Sequence, residues 1–574
     1  MKTLLKYMKG YGKECILAPL FKMLEASFEL MIPLVVAQII DVGIASGDMH
    51  YIIKMCLVMV ALGVVGLVSS VTAQFFSAKA AVGFATRLRH YVMEHLLSLS
   101  YTQIDMVGTS TMITRMTSDI NQVQSGVNFT LRLLLRSPFV VFGAMIMAFT
   151  IDAQAALVFV GMIAVLCVIV FGIMLITMPM HKRVQASLDG VTSATRQNLS
   201  GVRVLRAFRM EEKEAEGFRE KIGQLKNRQV SAGGISALLN PITFVVVNLS
   251  VIVLVQVGAI KVHGGVLTQG LVIALYNYMT QILVELVKMA SLIITMTKAA
   301  ACAGRVESIL KIQPEADAGT CCDTIRGKVE FRNVTARYAG AGEPSLSNIS
   351  FMAEPGQTVG IIGGTGSGKT TLVDLIPGFY PAAGGQVLID GVNVGDYSKQ
   401  TLRNAIAVVP QKALLFHGTI RENLLWGDSN ATDEQLWQAL ETAQASSVVK
   451  DRPEGLDAIV QQGGANFSGG QRQRLTIARA LVRRSAILIL DDSASALDYA
   501  TDAALRKAIR ELNNPPTTFI VSQRAASVRY ADRIIVLDDG EMVGMGTHEQ
   551  LLENCAVYQE IYYSQFSKEV ADHA

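Results

Sequence analysis

A run of glycine, lysine and threonine residues in the second half of the chain has the spacing of a phosphate-binding loop. The pattern Gly-x-x-x-x-Gly-Lys-Thr follows an apolar stretch that predicts a β-strand and precedes a stretch that predicts a helix. Glycines allow backbone N–H groups to close around phosphate oxygens, while Lys369 would contact the β- and γ-phosphates and Thr370 would bind Mg²⁺. The predicted nucleotide site consists of Gly363, Gly364, Thr365, Gly366, Ser367, Gly368, Lys369, Thr370 and Thr371.

A second apolar stretch, residues 486–490, predicts a buried strand that ends in two carboxylates. A strand of this kind places an acid beside the metal ion of a phosphate site, and Asp491 is the acid that we predict for that role. An apolar strand that ends in aspartate is common in proteins, so it indicates a metal site here only because a phosphate loop lies upstream. Together the two motifs predict binding of a nucleoside triphosphate with Mg²⁺.

Between these motifs, residues 467–474 begin a stretch that predicts a helix and read Phe-Ser-Gly-Gly-Gln-Arg-Gln-Arg. This run resembles the signature motif of the ATP-binding-cassette family, Leu-Ser-Gly-Gly-Gln, with Phe467 in the first place. In that family two cassettes face each other, and each ATP lies between the phosphate loop of one and the signature of the other. The resemblance therefore implies that this chain offers a partner cassette Ser468, Gly469, Gly470 and Gln471.

Other positions match the same family in the expected order. Tyr338 resembles its adenine-stacking aromatic residue, Gln411 its Q-loop glutamine, and Asp498 closes a D-loop that reads Ser-Ala-Leu-Asp. The resemblance implies ATP and Mg²⁺ as cofactors, with the metal held by Thr370, Gln411 and Asp491. Two segments of the first half are similar to the intracellular loops of exporter-type members: one contains Asp105, Gly108, Arg115 and Asp119, and the other is residues 201–208.

Two positions depart from the family pattern at the place where ATP would be cleaved. Members that hydrolyse ATP have a glutamate after the aspartate of this strand to polarise the attacking water, whereas this chain has Asp492, which is one methylene shorter. A displacement of about 1 Å lowers a rate on the order of 10²-fold. Gln523 stands where the family has its switch histidine, and an amide can donate a hydrogen bond but cannot become cationic or relay a proton.

These substitutions predict that ATP bound to this chain's own loop is held rather than cleaved efficiently. With an intact signature, the pattern is that of the degenerate-site subunit of a heterodimeric exporter, in which a second half-transporter supplies the catalytic site. Three alternatives stay open: a homodimer that exports lipids or peptides slowly, an ATP-gated channel or regulatory membrane protein, and a solely structural subunit. The intact loop and signature disfavour the last of these.

The part of the chain that precedes these motifs is predicted to lie in a membrane. Of the 574 residues, 51% are hydrophobic and 17% are charged, a composition unlike that of an ordinary soluble protein. Because a bilayer needs about 20 apolar residues per helix, the sequence predicts six spans, at residues 15–42, 51–76, 137–151, 155–178, 242–260 and 271–294. The third is short and begins beside Arg132 and Arg136, so its boundary is the least defined.

Basic residues determine the orientation of these spans. The long segments after the second and fourth spans are rich in arginine and lysine and are predicted to be cytoplasmic, and both read mostly as helix. The predicted fold class is multidomain: an all-α six-helix transmembrane domain with long cytosolic helix extensions, followed by an α/β P-loop ATP-binding cassette domain. The predicted parts are a transmembrane domain at 1–310, a linker at 311–327 and a nucleotide-binding domain at 328–574.

This layout predicts a multi-pass protein of the cell membrane whose N-terminus and nucleotide-binding domain are cytoplasmic. The balance of 51 Lys plus Arg against 48 Asp plus Glu excludes a nucleic-acid binder, which would carry a strong basic excess. The resemblance implies an exporter of small amphipathic substrates, of the multidrug type, in contact with membrane lipid. Glu25, Glu29 and Glu285 fall within predicted spans, where ionisable groups either line a translocation path or extend to the interface.

Overall fold

The computed structural model of the protein describes residues 4–315, 317 and 319–566. Residues 316 and 318 of the predicted linker, and the residues at 1–3 and 567–574 of the two predicted domains, lie outside the described residues. By its internal packing the chain divides into two units, Met1–Leu97 with Ser110–Ile312 and Ser98–Thr109 with Gln313–Ala574. The first unit is helical and the second is α/β, which confirms the predicted fold class.

Within the described residues, six helical segments are long and apolar enough to cross a membrane, as predicted. All six exceed the roughly 20 residues that a bilayer requires, which confirms the predicted helical extensions. They are Gly12–Ile44, Met49–Leu97, Thr109–Ile151, Ala153–Ser200, Glu211–His263 and Gln269–Leu310. In sequence, the short helices Tyr101–Val107 and Val202–Ala207 follow the second and fourth segments, and π-helical stretches occur at Ile39–Ile44 and Arg115–Asp119.

Polar residues are paired between the helical segments, and one of these pairs lies on a helix that is longer than predicted. In the third segment the helix Arg136–Ile151 begins at Arg136, which is buried between the carboxylates of Glu29 and Glu285, and the helix Ile120–Leu133 precedes it, as the predicted extension requires. The sixth segment continues past residue 294 to Leu310 and carries Arg305, which pairs with the buried Asp119 of the third segment. A hydropathy pattern does not reveal ion pairs between distant segments.

The second unit contains two main β-sheets and a third sheet of two short strands. The strands are β1 Val329–Ala336, β2 Leu346–Ala353, β3 Thr358–Gly363, β4 Gly384–Ile389, β5 Val392–Asn393, β6 Ile406–Val409, β7 Gly418–Thr419, β8 Ile459–Val460, β9 Ile487–Asp491, β10 Thr517–Val521, β11 Arg533–Asp538 and β12 Glu541–Gly546. The strand orders are β2-β1-β4-β5, β12-β11-β3-β10-β9-β6 and β7-β8. The strands predicted before the phosphate loop and at residues 486–490 are β3 and β9, and both are therefore confirmed.

Helices alternate with the strands of the six-stranded sheet. They are Lys369–Asp374, Lys399–Ala405, Ile420–Leu425, Asp433–Thr442, Ser446–Lys450, Gly469–Val482, Tyr499–Arg510, Ala525–Val528, His548–Asn554 and Ala556–Gln565. Along β9, Leu488 belongs to one hydrophobic core and Ile489 to the other, so the strand is buried on both faces. Burial on both faces explains why its sequence is continuously apolar rather than alternating.

Strand order brings the predicted site residues to one edge of this sheet. Strands β6, β9, β10, β3 and β11 run parallel, so their carboxyl ends meet at the same edge. The phosphate loop follows β3, Asp492 follows β9, Gln523 follows β10 and Gln411 follows β6. Because these four strands are adjacent, residues that are far apart in sequence become neighbours in the fold.

Candidate functional site

The phosphate loop turns sharply between β3 and the helix Lys369–Asp374. Gly368 has a φ of 92°, a left-handed conformation that favours glycine, and a Cβ at this position would lie 2.6 Å from Leu346 Cδ2. A Cβ on Gly363 would lie 2.2 Å from the carbonyl oxygen of Leu537. Both positions therefore require glycine, and the loop keeps its backbone N–H groups free of side-chain crowding.

Lys369 lies at the first position of that helix and extends back across the loop. Its buried Nζ donates hydrogen bonds to the carbonyl oxygens of Gly363, at 2.9 Å, and Gly364, at 2.5 Å. Burial lowers the pKa of this ammonium, and the nearby carboxylates of Asp492 and Asp491 oppose that shift. An ammonium held inside a loop of glycines is suited to bind phosphate oxygens.

Thr370 and Asp491 form the part of the site that fits a metal ion. Thr370 Oγ1 donates to the carboxylate of Asp491, 3.1 Å from each oxygen. Burial raises the pKa of Asp491, with a further contribution from the adjacent Asp492. Within residues 4–315, 317 and 319–566 no cluster of three or more His, Cys, Asp or Glu side chains could hold a metal. The carboxylate of Asp491 with the hydroxyl of Thr370 fits Mg²⁺, because this ion is typically bound through few protein ligands together with phosphate oxygens and water.

Asp492 and Gln411 meet at the same edge of the sheet. Gln411 Nε2 donates to Asp492 Oδ2 at 3.3 Å, and the backbone N–H of Asp492 donates to the carbonyl of Val521. Asp492 has a φ of 43°, which aspartate tolerates better than most residues. Gln523 lies just past β10 with an exposed side chain, and its carbonyl oxygen accepts a hydrogen bond from Gln565 at 2.8 Å.

Tyr338 is joined to the phosphate-loop helix. Its hydroxyl lies 3.0 Å from Thr371 Oγ1, which places the predicted adenine-stacking ring beside the predicted phosphate site. The ring also packs edge to face against Tyr380, with 5.0 Å between ring centroids. Burial raises the pKa of the Tyr338 hydroxyl, so this group stays a neutral hydrogen-bond donor.

The signature residues form a regular helix start. Ser468 Oγ accepts a hydrogen bond from the N–H of Gln471, whose side-chain oxygen accepts the N–H of Ser468 in return, which makes a complete capping box. Ser468 and Gly469 are exposed, whereas the unusual Phe467 is buried in the core beneath them. The positive end of the helix Gly469–Val482 is therefore presented at the surface of the unit.

The signature lies beside the D-loop of the same chain. A Cβ on Gly470 would come within 3.0 Å of the carbonyl oxygen of Ala496. Asp498 begins the helix Tyr499–Arg510 by accepting the N–H of Thr501 at 2.8 Å, and this hydrogen bond lowers its pKa. The structure thus groups the signature with the D-loop, and the phosphate loop with Asp491, Asp492, Gln411 and Tyr338.

Arg524 is a residue of this region that the sequence did not reveal. Its guanidinium donates to three carbonyl oxygens of the D-loop turn, those of Ala494, Ser495 and Leu497, at distances of 3.0 to 3.3 Å. Arg524 directly follows Gln523, so these hydrogen bonds connect the position of the family's switch histidine with the D-loop. The sequence signal was weak, because an arginine that binds backbone carbonyls leaves no acidic partner to find.

The first intracellular segment contributes a second set of unexpected contacts. Asp105 Oδ2 accepts a hydrogen bond from the Tyr380 hydroxyl at 2.6 Å, and the ring of Tyr101 stacks on Phe379 with 4.4 Å between centroids. The helix Tyr101–Val107 belongs to the same packed unit as the nucleotide site. Tyr380 therefore touches both Asp105 and Tyr338, and it connects the predicted adenine-stacking residue with this helix.

Asp374 provides a pH-dependent prediction for this region. Burial, reinforced by the neighbouring carboxylates of Asp491 and Asp105, raises the pKa of Asp374 to about 7. The folded chain then binds this proton more tightly than the unfolded chain, so the free energy of unfolding falls as pH rises from about 4 to 7. Asp374→Asn removes the penalty, and we expect a stability gain on the order of 2–4 kcal/mol at pH 8.

Thermal unfolding of the full chain in detergent at pH 5 and pH 8 measures this effect. The gain in melting temperature for Asp374→Asn should be clearly larger at pH 8 than at pH 5. Asp396→Asn makes the same chemical change at an exposed position and serves as the control. A gain of equal size at both pH values would contradict the raised pKa.

Comparisons with known protein families agree with this geometry. Residues 15–286 match a family model described as the ABC transporter transmembrane region. Residues 346–495 match the model described as ABC transporter, and this range contains the phosphate loop, the signature and Asp492. The two matches follow the order of the helical unit and the α/β unit along the chain.

Individual relatives match over nearly the full length. An uncharacterized ABC transporter ATP-binding protein of Mycobacterium tuberculosis is 36% identical, with 98% of each chain covered. The uncharacterized ABC transporter ATP-binding protein YfiB of Bacillus subtilis is 34% identical over 99% of each chain. The ATP-dependent lipid A-core flippase of Chromobacterium violaceum is 28% identical, with 100% of this chain and 98% of its own covered. A solved bacterial Atm1-family ABC exporter with ATP bound has the same fold, with a TM-score of 0.79 and 22% identity over 97% of this chain and 98% of that chain.

Proposed function

Because this chain belongs to the ABC transporter family and has the exporter fold, we propose that it is the hydrolysis-impaired half of a heterodimeric exporter. In this proposal its own site binds ATP with Mg²⁺ and holds it. Its signature completes the catalytic site of a different half-transporter. The substrate is a small amphipathic molecule taken from the membrane.

Binding at the chain's own site is supported by the contacts around the phosphate loop. Lys369 and the loop N–H groups would bind the β- and γ-phosphates, and Thr370, Asp491 and Gln411 would hold Mg²⁺. The hydrogen bonds of 3.1 Å from Thr370 Oγ1 to the two carboxylate oxygens of Asp491 support a shared role for these side chains at the metal. Tyr338 would stack on the base. When bound, Mg²⁺ would neutralise phosphate charge.

Impaired hydrolysis is supported by the two substitutions at the end of β9 and β10. Asp492 accepts a hydrogen bond from Gln411. Its side chain is one methylene shorter than that of glutamate, so its carboxylate would lie short of the position from which a glutamate polarises water. Loss of general-base assistance lowers a rate by about 10²–10⁴-fold. Gln523 offers only neutral hydrogen bonds in place of an imidazole. The pairing of these two residues with an otherwise complete phosphate site is the observation that carries the proposal.

The signature helix supports the proposal that this chain completes a partner's ATP site. Its capping box is intact, and Ser468 and Gly469 are exposed. N–H groups and a helix dipole at this end would stabilise the negative charge that develops on the γ-phosphate of a partner's ATP. A good signature beside a poor base is the expected division of roles between two different chains.

Amphipathic substrates are supported by the relatives and by the membrane unit. A relative that covers the whole chain is an ATP-dependent lipid A-core flippase, which moves an amphipathic molecule. Among the ionisable residues of the six apolar segments, Arg136 and Glu285 form a buried ion pair. A lipid or a drug-like amphipath therefore fits better than a small hydrophilic solute.

Transport into inside-out membrane vesicles tests the proposal. Vesicles that contain this chain with its co-purifying half-transporter should accumulate a fluorescent amphipath above its equilibrium level when ATP and Mg²⁺ are added. A non-hydrolysable ATP analogue should give no accumulation. Faster equilibration without accumulation would contradict export and would instead support an ATP-gated channel. Robust ATP hydrolysis by this chain purified alone would contradict the division of roles.

A further inference from the structure

A chain of four charged side chains connects the first, third and sixth membrane segments. Arg136 lies at its centre, where one guanidinium nitrogen donates to Glu285 Oε1 at 2.5 Å and the other donates to Glu29 Oε2 at 2.6 Å. Lys288 Nζ donates to the same Oε1 of Glu285 at 2.9 Å, and Ser137 Oγ donates to its Oε2 at 2.8 Å. The charges alternate in the order Glu29, Arg136, Glu285, Lys288, and their sum is zero.

Three residues of this charge chain, Glu29, Arg136 and Glu285, lie at similar distances along their helical segments. With a rise of about 1.5 Å per residue, Glu29, Arg136 and Glu285 are each about 22–24 Å from the outer end of their helical segment. In a hydrocarbon core about 30 Å thick that starts at these outer ends, the three residues would lie in the cytoplasmic half. Charged groups at such depth are energetically costly and mark a substrate path or a contact between helices.

The centre of the charge chain is buried and its two ends are exposed. The side chains of Arg136 and Glu285 are 8% and 3% exposed, compared with 37% for Glu29 and 46% for Lys288. The buried pair keeps its geometry, because separating it would leave an uncompensated charge. One guanidinium and one carboxylate therefore set the spacing between the exposed carboxylate of Glu29 and the exposed ammonium of Lys288.

Two unused hydrogen-bonding atoms lie within the charge chain or one helical turn away from it. Within the described part of the protein, Arg136 Nε and Gln281 Oε1 are buried without a hydrogen-bond partner. Buried polar atoms are normally paired, so these two are a donor and an acceptor left unused inside the helical unit. Toward the cytoplasm, Lys22 and Glu25 form another neutral pair at 2.5 Å, so this region of the membrane unit stays balanced in charge.

We infer that Glu29 and Lys288 bind the headgroup of a zwitterionic amphipath of the phosphocholine or phosphoethanolamine type. The ammonium of the headgroup lies beside Glu29 and its phosphate beside Lys288, while the alkyl chain stays among the apolar segments. A purely cationic headgroup would face Lys288, and a purely anionic one would face Glu29, so each meets one repulsive contact. This inference rests on the proposed function, since it names the class of molecule that the exporter takes.

Equilibrium binding without ATP tests this inference. Three fluorescent amphipaths share one alkyl chain and carry a phosphocholine, trimethylammonium or sulfate headgroup, and each is titrated into the full transporter in nanodiscs. The phosphocholine compound should bind wild-type protein at least about tenfold more tightly than the other two. Glu29→Gln should weaken phosphocholine and trimethylammonium binding about tenfold, and Lys288→Gln should weaken phosphocholine and sulfate binding by a similar factor.

Lys54→Gln, which removes an exposed lysine of the second segment, is the matched control and should change none of the three affinities. Equal binding of all three compounds by the wild type would overturn the inference. Losses of affinity in the two variants that do not depend on headgroup charge would overturn it too. Unchanged binding in both variants is the result expected if the exposed ends face a partner helix, and it would overturn the inference as well.

Vesicle accumulation is measured separately, so that the two proposals can fail independently. Selective binding without ATP-dependent accumulation contradicts export and leaves the headgroup site standing. Accumulation of an amphipath by a protein that shows no headgroup selectivity contradicts the headgroup site and leaves export standing.

Discussion

Gly469→Asp in this chain is expected to lower the ATP hydrolysis rate of the assembled transporter by about 10²-fold or more. Gly469 begins the signature helix, and a Cβ built on it meets no other atom within 4 Å, so the variant can fold without strain. Its carboxylate would place negative charge where the helix end should stabilise a partner's γ-phosphate. Phosphate release by the reconstituted complex measures the effect.

A matched control is available in the helix Glu211–Ala237. Gly217 is exposed, and a Cβ there also meets no atom within 4 Å, so Gly217→Asp adds the same charge at a comparable helical glycine. This control should leave hydrolysis unchanged. ATP photolabelling of the chain's own phosphate loop should persist in Gly469→Asp. Normal hydrolysis by Gly469→Asp, or an equal loss in Gly217→Asp, would contradict a role for the signature at a partner's site.

Asp492→Glu combined with Gln523→His is expected to raise hydrolysis at this chain's own site by about 10²-fold. The longer carboxylate would reach the attacking water, and the imidazole would supply a group that can carry a positive charge near the γ-phosphate. The gain is clearest in a complex whose partner lacks its own catalytic glutamate, because the remaining phosphate release then comes from this site.

The single substitutions separate the two contributions. Residue 492 has a φ of 43°, which glutamate tolerates less well than aspartate, so Asp492→Glu alone should lower the melting temperature slightly. Gln523 is exposed, so histidine fits there without repacking. If the double variant binds ATP but hydrolyses it no faster than wild type, these two side chains are not what impairs the site.

Motifs that depend on local geometry could be predicted from the sequence. The phosphate loop could be predicted because its sharp turn between a strand and a helix requires a left-handed backbone and a close approach of neighbouring atoms. Glycine at positions such as Gly368 permits both. The apolar run before Asp491 predicted a buried strand, and β9 is buried, with one core on each face. The strand order then places the loop, Asp492 and Gln411 together, since each follows a parallel strand of one sheet.

Contacts between distant segments could not be predicted in the same way. Asp105 and Tyr380 are 275 residues apart and meet only because the helix Tyr101–Val107 packs within the second unit. Arg136 looked like the start of a span, but two carboxylates on other helices stabilise it inside the bundle. The raised pKa of Asp374 depends on burial and on neighbouring acids that the fold supplies. Hydropathy and motif spacing contain no information about such pairs.

Asymmetry between the two ATP sites is the central claim, and doubly labelled ATP tests it most directly. The transporter is allowed one turnover with photoreactive ATP labelled at both the α- and γ-phosphates, then irradiated, and the two chains are separated. Cross-linked nucleotide on this chain should keep its γ-label relative to its α-label, while the partner loses it. Loss of the γ-label from this chain at the partner's rate would show that Asp492 and Gln523 support ordinary hydrolysis and would contradict the claim.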